Sequence, residues 1–365
     1  MTKIKLSRLR RLLKNQGLDG LLVTQPANRR YLSGFQPDDG QLGESSGALL
    51  ITANGAIILT DFRYALTAGE QAPCFTPVIY RQGLAAELAA LAPGLRLKTL
   101  GFEADALLVS QQMRLAEKLP GLELKPTSDL VASLRVLKDG AEVRAISSAL
   151  GLMEKVLDQV IAGELVGRTE RQVAAEILRG LDQAGADGPA FAPIVASGPN
   201  AAEPHAEPGG RVIAAGDTVI LDVGARLNGY CSDITRTVVA GGLDAAPQGF
   251  APVYGAVRRA LNAAAAGIRP GLTGKEADAL GREVIVQAGH GERFGHSLGH
   301  GVGLQTHEEP SLSPLSRQVL LPDMVFTIEP GIYLPGWGGV RLEQMAVMTE
   351  SGCRLLNHLD RFYDL

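Results

Sequence analysis

The chain reads as an α/β N-terminal domain followed by an α+β C-terminal domain with an internal pseudo-two-fold repeat. Three observations predict this. The length of 365 residues is about twice a typical domain of roughly 150 residues. Before Lys125-Pro126-Thr127, short apolar runs alternate with helix-like stretches. After it, residues 162–185 align without gaps to residues 266–289, and the segments that follow each copy also correspond. The expected domains are therefore residues 1–126 and 127–365.

In the first domain, Leu6, Leu9, Leu12 and Leu13 share one face of an opening helix that stops at Gly17. Leu21-Leu22-Val23 predicts a strand. Ala48–Ile51 and Ala56–Leu59 flank Asn54-Gly55, the dipeptide best suited to a tight hairpin turn. Helices are expected near Leu84–Leu91 and Gln111–Lys118, with a strand around Leu100–Phe102. A charged helix through Glu142–Leu150 is expected to lead into the second domain.

The repeat has mechanical content. Thr169 with Gln172, and Thr273 with Glu276, each form a Thr-x-x-Gln/Glu capping box at a helix start. Gly185 and Gly289 sit where those helices should stop. Next come His205-Ala-Glu-Pro208 after the first copy and His307-Glu-Glu-Pro310 after the second. Each copy then continues into an apolar strand with a carboxylate at its mouth, Asp222 in one and Glu329 in the other. A further strand follows each, carrying Asp233 or Glu343. Two facing hairpins would thus each supply two carboxylates to one cleft.

Composition narrows the function. Lys and Arg number 35 against 39 Asp and Glu, a net charge of −4. Nucleic acid and anionic membranes call for clustered excess cation, so neither is an expected partner. Three scattered cysteines form no disulfide framework and no Cys-x-x-Cys pair, which suggests a reducing, cytoplasmic setting. No apolar run approaches the ~18–20 residues of a membrane span.

Carboxylates are rarely buried unless paired or bound to metal. Four at matching places in two repeats point to a shared divalent cation, which stabilises clustered like charge. By strand alternation Asp233 shares a face with Thr235, a candidate to orient it, and Arg341 shares one with Glu343. The run His296–His307 adds imidazoles, and the glycines around His300 suggest close approach of backbone to a ligand or metal. His290 and His358 read as ordinary surface residues. One imidazole with four carboxylates is a hard, oxygen-rich donor set that suits Mn²⁺ or another first-row ion. Gly299-His-Gly-Val-Gly303 lacks the third spaced glycine of a dinucleotide loop, and Gly274-Lys275-Glu276 is no phosphate loop. Cys231 reads as a packed residue.

These residues carry a family resemblance. Ser197–His205, Asp222-Val-Gly, Gly229–Thr237, His296–Pro310, Ile328–Tyr333 and Gly339–Glu343 together resemble the M24B metallopeptidases, the Xaa-Pro aminopeptidases and Xaa-Pro dipeptidases (prolidases). The resemblance covers essentially the whole chain. It implies a creatinase-type N-terminal domain and a pita-bread catalytic domain. It implies five metal ligands, Asp222, Asp233, His300, Glu329 and Glu343, for two divalent ions, Mn²⁺ first with Co²⁺ or Zn²⁺ as alternatives. Glu329, His205, His296 and His307 would be the catalytic residues, and His205, His296, His307 and Arg341 would contact substrate. Tyr230 joins His296 as a candidate surface for the proline ring. The implied substrates are small peptides with proline at the second position, and the implied assembly is a homodimer.

One departure is Gln344, where the family usually has Asp after the ligand Glu. It bears on the support of Glu343. The rival readings are a methionine aminopeptidase, which usually lacks the first domain, a creatinase-like hydrolase without the metal set, and a non-catalytic binding protein. The polar run Gln36–Ser46 is a candidate for closing the cleft beyond the proline.

Overall fold

A computed structural model describes residues 2–41 and 43–365. It divides into two compact units, Met1–Arg135 and Val136–Leu365. The expected break after Pro126 falls too early. Lys125-Pro126-Thr127 closes a strand that pairs within the first sheet, so it belongs to the first unit.

The first unit is a six-stranded mixed sheet. Its strands are β1 (Gly20–Val23), β2 (Ala48–Thr52), β3 (Ala56–Thr60), β4 (Thr76–Ile79), β5 (Thr99–Glu103) and β6 (Glu123–Thr127), in the order β4-β3-β2-β1-β5-β6. Its helices are α1 (Thr2–Asn15), α2 (Pro26–Ser33), α3 (Ala65–Gln71), α4 (Leu84–Leu95), α5 (Val109–Lys118) and α6 (Ala132–Arg135). Leu6, Leu9 and Leu13 of α1 are buried, as the leucine spacing requires. The hairpin at Asn54-Gly55 forms without either residue entering the left-handed region, because the Thr52 hydroxyl accepts the Gly55 N–H at 2.8 Å and closes the turn. In the run Gln36–Ser46, Leu42 lies outside the described residues. The buried Arg29 holds that run to its own unit through the Asp39 carboxylate at 3.0 Å, the Pro37 carbonyl at 3.1 Å and the Ser46 hydroxyl at 2.8 Å.

In the second unit, α7 (Gly140–Ala162) starts at an Asp139–Glu142 capping box and buries Ile146, Leu150, Met153, Leu157 and Val160 at helical spacing. Two helices of 14 residues each, α8 (Glu170–Gln183) and α10 (Gly274–Gln287), begin at the two predicted capping boxes. The Thr169 and Thr273 hydroxyls each accept a backbone N–H at 3.2 Å. Gly185 (φ 80°) and Gly289 (φ 82°) reverse the chain beyond each helix. The helix α9 (Phe250–Gly267) pairs with α10 as α7 does with α8. The predicted repeat is therefore a structural one.

Each helix pair backs a sheet. The first carries β8 (Ile194–Ser197), β9 (Thr218–Val223) and β12 (Ile234–Val239), with β9 central, and a small sheet of β7 (Gly188–Pro189), β10 (Ala225–Leu227) and β11 (Tyr230–Cys231) lies alongside in the chain. The second carries β13 (Gly299–Gly301), β14 (Glu308–Leu312), β15 (Val325–Ile328), β18 (Gln344–Thr349) and β19 (Gly352–Leu355), in the order β14-β13-β15-β18-β19. The hairpin β16 (Gly331–Leu334) and β17 (Gly338–Arg341) connects β15 to β18. Alternation places Val325, Met345 and Val347 in the core of the first repeat and Phe326, Ile328, Ala346 and Met348 in that of the second. The sheet is thus buried on both faces.

The repeats meet where β12 runs beside residues 341–343. The Glu343 N–H donates to the Thr235 carbonyl at 3.1 Å, and the buried Arg236 guanidinium donates to the Glu343 carbonyl at 2.7 Å. Glycines make the strand spacing possible on the other side. A Cβ on Gly299 would lie 2.0 Å from the Thr327 carbonyl oxygen, and one on Gly301 would lie 2.2 Å from that of Glu309. The glycines flanking His300 therefore serve strand-to-strand approach.

Candidate active site

Every predicted ligand lies on a strand or directly beside one. Asp222 is on β9, Asp233 immediately precedes β12, His300 is on β13, Glu329 follows β15, and Glu343 immediately precedes β18. The antiparallel pairing of β15 with β18 ends at Ile328↔Gln344, so Glu329 and Glu343, the next residue on each side, lie at the same end of that strand pair. A cavity of about 460 Å³ is lined by Asp222, Asp233, His300 and Glu329 together with His205, His296, His307 and Arg341. Donor atoms of Asp233, His300 and Glu343 lie within 4.8 Å of one another. The His300 Nε2 is 3.3 Å from Glu329 Oε1 and 3.6 Å from Asp233 Oδ2. The rings of His300 and His307 have centroids 4.2 Å apart.

Such crowding shows in the proton affinities. Burial, and then the charges of Glu343, Asp222 and Glu329, push Asp233 well above the usual carboxylate range. Burial, followed by Glu329 and Asp222, does the same to Glu343. Burial alone would raise Glu329, but the hydrogen bond and charge of His300 outweigh it and hold Glu329 at about 2. Burial alone would lower His300, yet Glu329 and Glu343 draw it up to about 9. The concentrated negative charge of the pocket thus raises the proton affinities of Asp233, Glu343 and His300.

A divalent cation fits this donor set. Asp222 Oδ1 and Glu343 Oε1 are buried carboxylate oxygens with no hydrogen-bond partner among the described residues, which is costly unless a cation satisfies them. Their other oxygens are held. The Arg341 guanidinium donates to Asp222 Oδ2 at 2.6 Å, and the Thr235 hydroxyl donates to Glu343 Oε2 at 2.8 Å. Each carboxylate is thus anchored through one oxygen, with the other left over.

Several expectations need correction in detail. Thr235 supports Glu343, not Asp233, because β12 runs beside Glu343 in the seam. Arg341 turns to Asp222 and is almost fully enclosed, also donating to the Tyr333 hydroxyl at 2.8 Å and the Pro204 carbonyl at 3.1 Å. Tyr230 does not line the cavity. The hairpin pairing Leu227↔Tyr230 points its hydroxyl to Glu142, 3.0 Å away, with the ring packed on the first repeat's core. Cys231 is buried in that core, as its reading as a packed residue expected. Among the described residues the buried amide oxygen of Gln344 has no hydrogen-bond partner, while Glu343 draws its hydrogen bond from Thr235.

Three participants escaped sequence reasoning. The Tyr333 hydroxyl lies 2.8 Å from His296 Nε2 and ties that ring to Arg341. Its place in the motif Ile328–Tyr333 was the available signal. Phe191 lines the cavity from a segment with no pattern of its own. Lys138, enclosed, pairs with Glu308 at 2.7 Å beside His307. A lone lysine before a helix gives no hint of that.

Two facing helix-and-hairpin repeats that pool acidic and imidazole side chains define a metallopeptidase architecture. Comparison with known proteins makes this specific. Residues 144–350 match metallopeptidase family M24, and residues 5–137 match the creatinase/prolidase N-terminal domain. The chain is 34% identical to the Xaa-Pro dipeptidase of Pyrococcus furiosus, over 98% of this chain and 99% of that protein. A solved Xaa-Pro dipeptidase from Bacillus anthracis matches with a TM-score of 0.92 at 38% identity, covering 98% of this chain and 97% of that one. The X-Pro aminopeptidase structure from Thermotoga maritima matches with a TM-score of 0.87 at 33% identity, over 97% and 98% of the two chains. The protein belongs to metallopeptidase family M24, with a creatinase/prolidase-type N-terminal domain. None of its described helices is long and apolar enough to cross a membrane.

Proposed function

We propose that the chain hydrolyses the Xaa-Pro imide bond of small peptides with proline at the second position. The observation that carries this reading is the convergence of carboxylates and histidines from both repeats on one cavity, with Asp222 Oδ1 and Glu343 Oε1 left unsatisfied. The names of its relatives support the substrate class. Asp222, Asp233, His300, Glu329 and Glu343 would hold two divalent ions, with Mn²⁺ the first choice for this oxygen-rich set. When bound, such a pair supplies a water acidic enough to attack at neutral pH and polarises the scissile carbonyl.

The chain's own groups do the rest. Glu329 takes a proton from the attacking water and delivers it to the proline nitrogen, which has no N–H and must be protonated to leave as an amine. Burial, and then the neighbouring His300 charge, lowers the His307 proton affinity, which favours the neutral imidazole, able to donate one N–H. With His205 it would steady the carbonyl oxygen as charge develops there. His296, its proton affinity lowered chiefly by burial, is fixed by Tyr333 and by a T-shaped contact with Phe294 (ring centroids 4.9 Å apart), and offers a flat surface for the pyrrolidine ring.

The test is turnover of Xaa-Pro and Xaa-Pro-Xaa peptides by protein equilibrated with Mn²⁺ or Co²⁺, before and after chelation. Hydrolysis that chelation abolishes and metal restores is expected. Metal-loaded protein inert toward both peptides would overturn the reading. The ratio of the two rates assigns dipeptidase or aminopeptidase character. A reducing, cytoplasmic setting and a homodimer belong to the same reading, the first on cysteine usage and the second on resemblance.

A further inference from the structure

Glu170 opens α8 and is fully buried, yet the proposed chemistry does not use it. Its carboxylate gathers both ends of the loop that carries His205. Oε1 accepts the Ser197 N–H and the Ser197 hydroxyl, each at 2.8 Å, and the Asn200 side-chain amide at 3.1 Å. Oε2 accepts the Gly209 N–H at 3.1 Å and shares the Asn200 amide at 3.2 Å. The loop is thus bound at its entry, just beyond its entry and at its exit. Its middle is held from the other side, where Arg341 donates to the carbonyl of Pro204, the residue before His205. His205 itself is exposed to the cavity, and among the described residues its side chain has no bond to fix it.

The second repeat solves the same problem differently. Asp278 of α10, also buried, accepts the Leu298 N–H at 3.0 Å and pairs with Arg282, which donates to the His296 carbonyl at 2.7 Å. In the aligned repeats Glu170 corresponds to Gly274 and Asp278 to Ala174. The two helices therefore reach their histidine loops from different turns.

We propose that Glu170 is a positioning residue for His205, clamping both ends of the 197–209 loop so that the imidazole meets the substrate carbonyl; the catalytic half of this rests on the Xaa-Pro reading above. The decisive change is Glu170→Gln, which keeps the volume but turns an amide N–H₂ toward a backbone N–H or the Asn200 amide. Amide hydrogen exchange of the metal-free protein should rise ~10-fold or more across residues 198–209 while β9 and β12 stay protected. In metal-loaded protein kcat should fall by about tenfold to a hundredfold with KM and metal content little changed. In a His205→Ala background the same substitution should add almost nothing to the loss. Asn200→Ala, which removes one donor only, should show a smaller effect of the same kind and serves if Glu170→Gln does not fold. Unchanged loop exchange, or a kcat loss fully additive with His205→Ala, would overturn the proposal. The exchange comparison needs no turnover, so it decides the clamp even if the proposed reaction fails.

Discussion

At the scale of single residues, the site divides side chains between holding and reacting. Glu329 is expected to do both. Glu329→Gln should lower kcat on an Xaa-Pro peptide by on the order of 10²–10⁴-fold, as loss of a general acid–base does, with the thermal unfolding profile preserved. Near-wild-type turnover would remove Glu329 from proton transfer. Thr235 makes a separable prediction. Thr235→Val deletes the hydroxyl that anchors Glu343, and should weaken divalent-metal affinity by about 10–100-fold, the usual cost of losing an outer-shell partner. A metal titration reads this directly. The acids at the strand mouths are legible in the sequence because four carboxylates beside apolar runs are costly to bury together without a cation. Their partners are not. Strand alternation puts Thr235 on the same face as Asp233, but the hydroxyl is used across the seam by Glu343, a contact between residues far apart in the chain. Tyr230 departs from expectation for a related reason, since a hairpin end can turn either way until the packing of Glu142 and the core decides.

At the scale of elements, the helix caps are the most readable features. Each Thr-x-x-Gln/Glu box is local chemistry that any surrounding fold respects, and both form as spaced. Thr169→Ala and Thr273→Ala should each cost about 1 kcal/mol, and nearly additively, since the boxes cap separate helices. Urea unfolding of the single and double mutants tests this. Gly299 should be far less forgiving. Its missing side chain lets β13 lie on β15, so Gly299→Ala should destabilise by at least about 1–3 kcal/mol through backbone displacement and weaken metal binding through His300. Two strands of the first unit are hidden from a pattern reading. Both β4 and β6 are edge strands, β4 mostly exposed and β6 only partly buried, and they contain Pro77 and Pro126. Proline is tolerated at sheet edges, but in a sequence it looks like a loop or a boundary, which is why the domain break is expected too early.

At the scale of the whole chain, the internal repeat is what makes the site legible. It relates residues that no local pattern connects, and it implies a shared cleft independently of any one ligand. The acids of the two repeats meet in a pocket whose burial and mutual repulsion push the Asp233 and Glu343 carboxyls well above their usual range, so cation binding should stabilise the fold. Divalent metal at 100 times its Kd should add about 2.7 kcal/mol for each ion bound to the native state, read as a rise in unfolding temperature that chelation reverses. A silent unfolding profile would mean that the acids do not act together.

The most direct measurement is the divalent-metal content of the purified chain after equilibration with Mn²⁺ and removal of free ion. About two ions per chain are expected for a paired site, with clear loss in Asp233→Asn and Glu343→Gln. Protein that retains no ion, or mutants that retain as much as the parent, would contradict the metal centre on which the proposed peptidase activity depends.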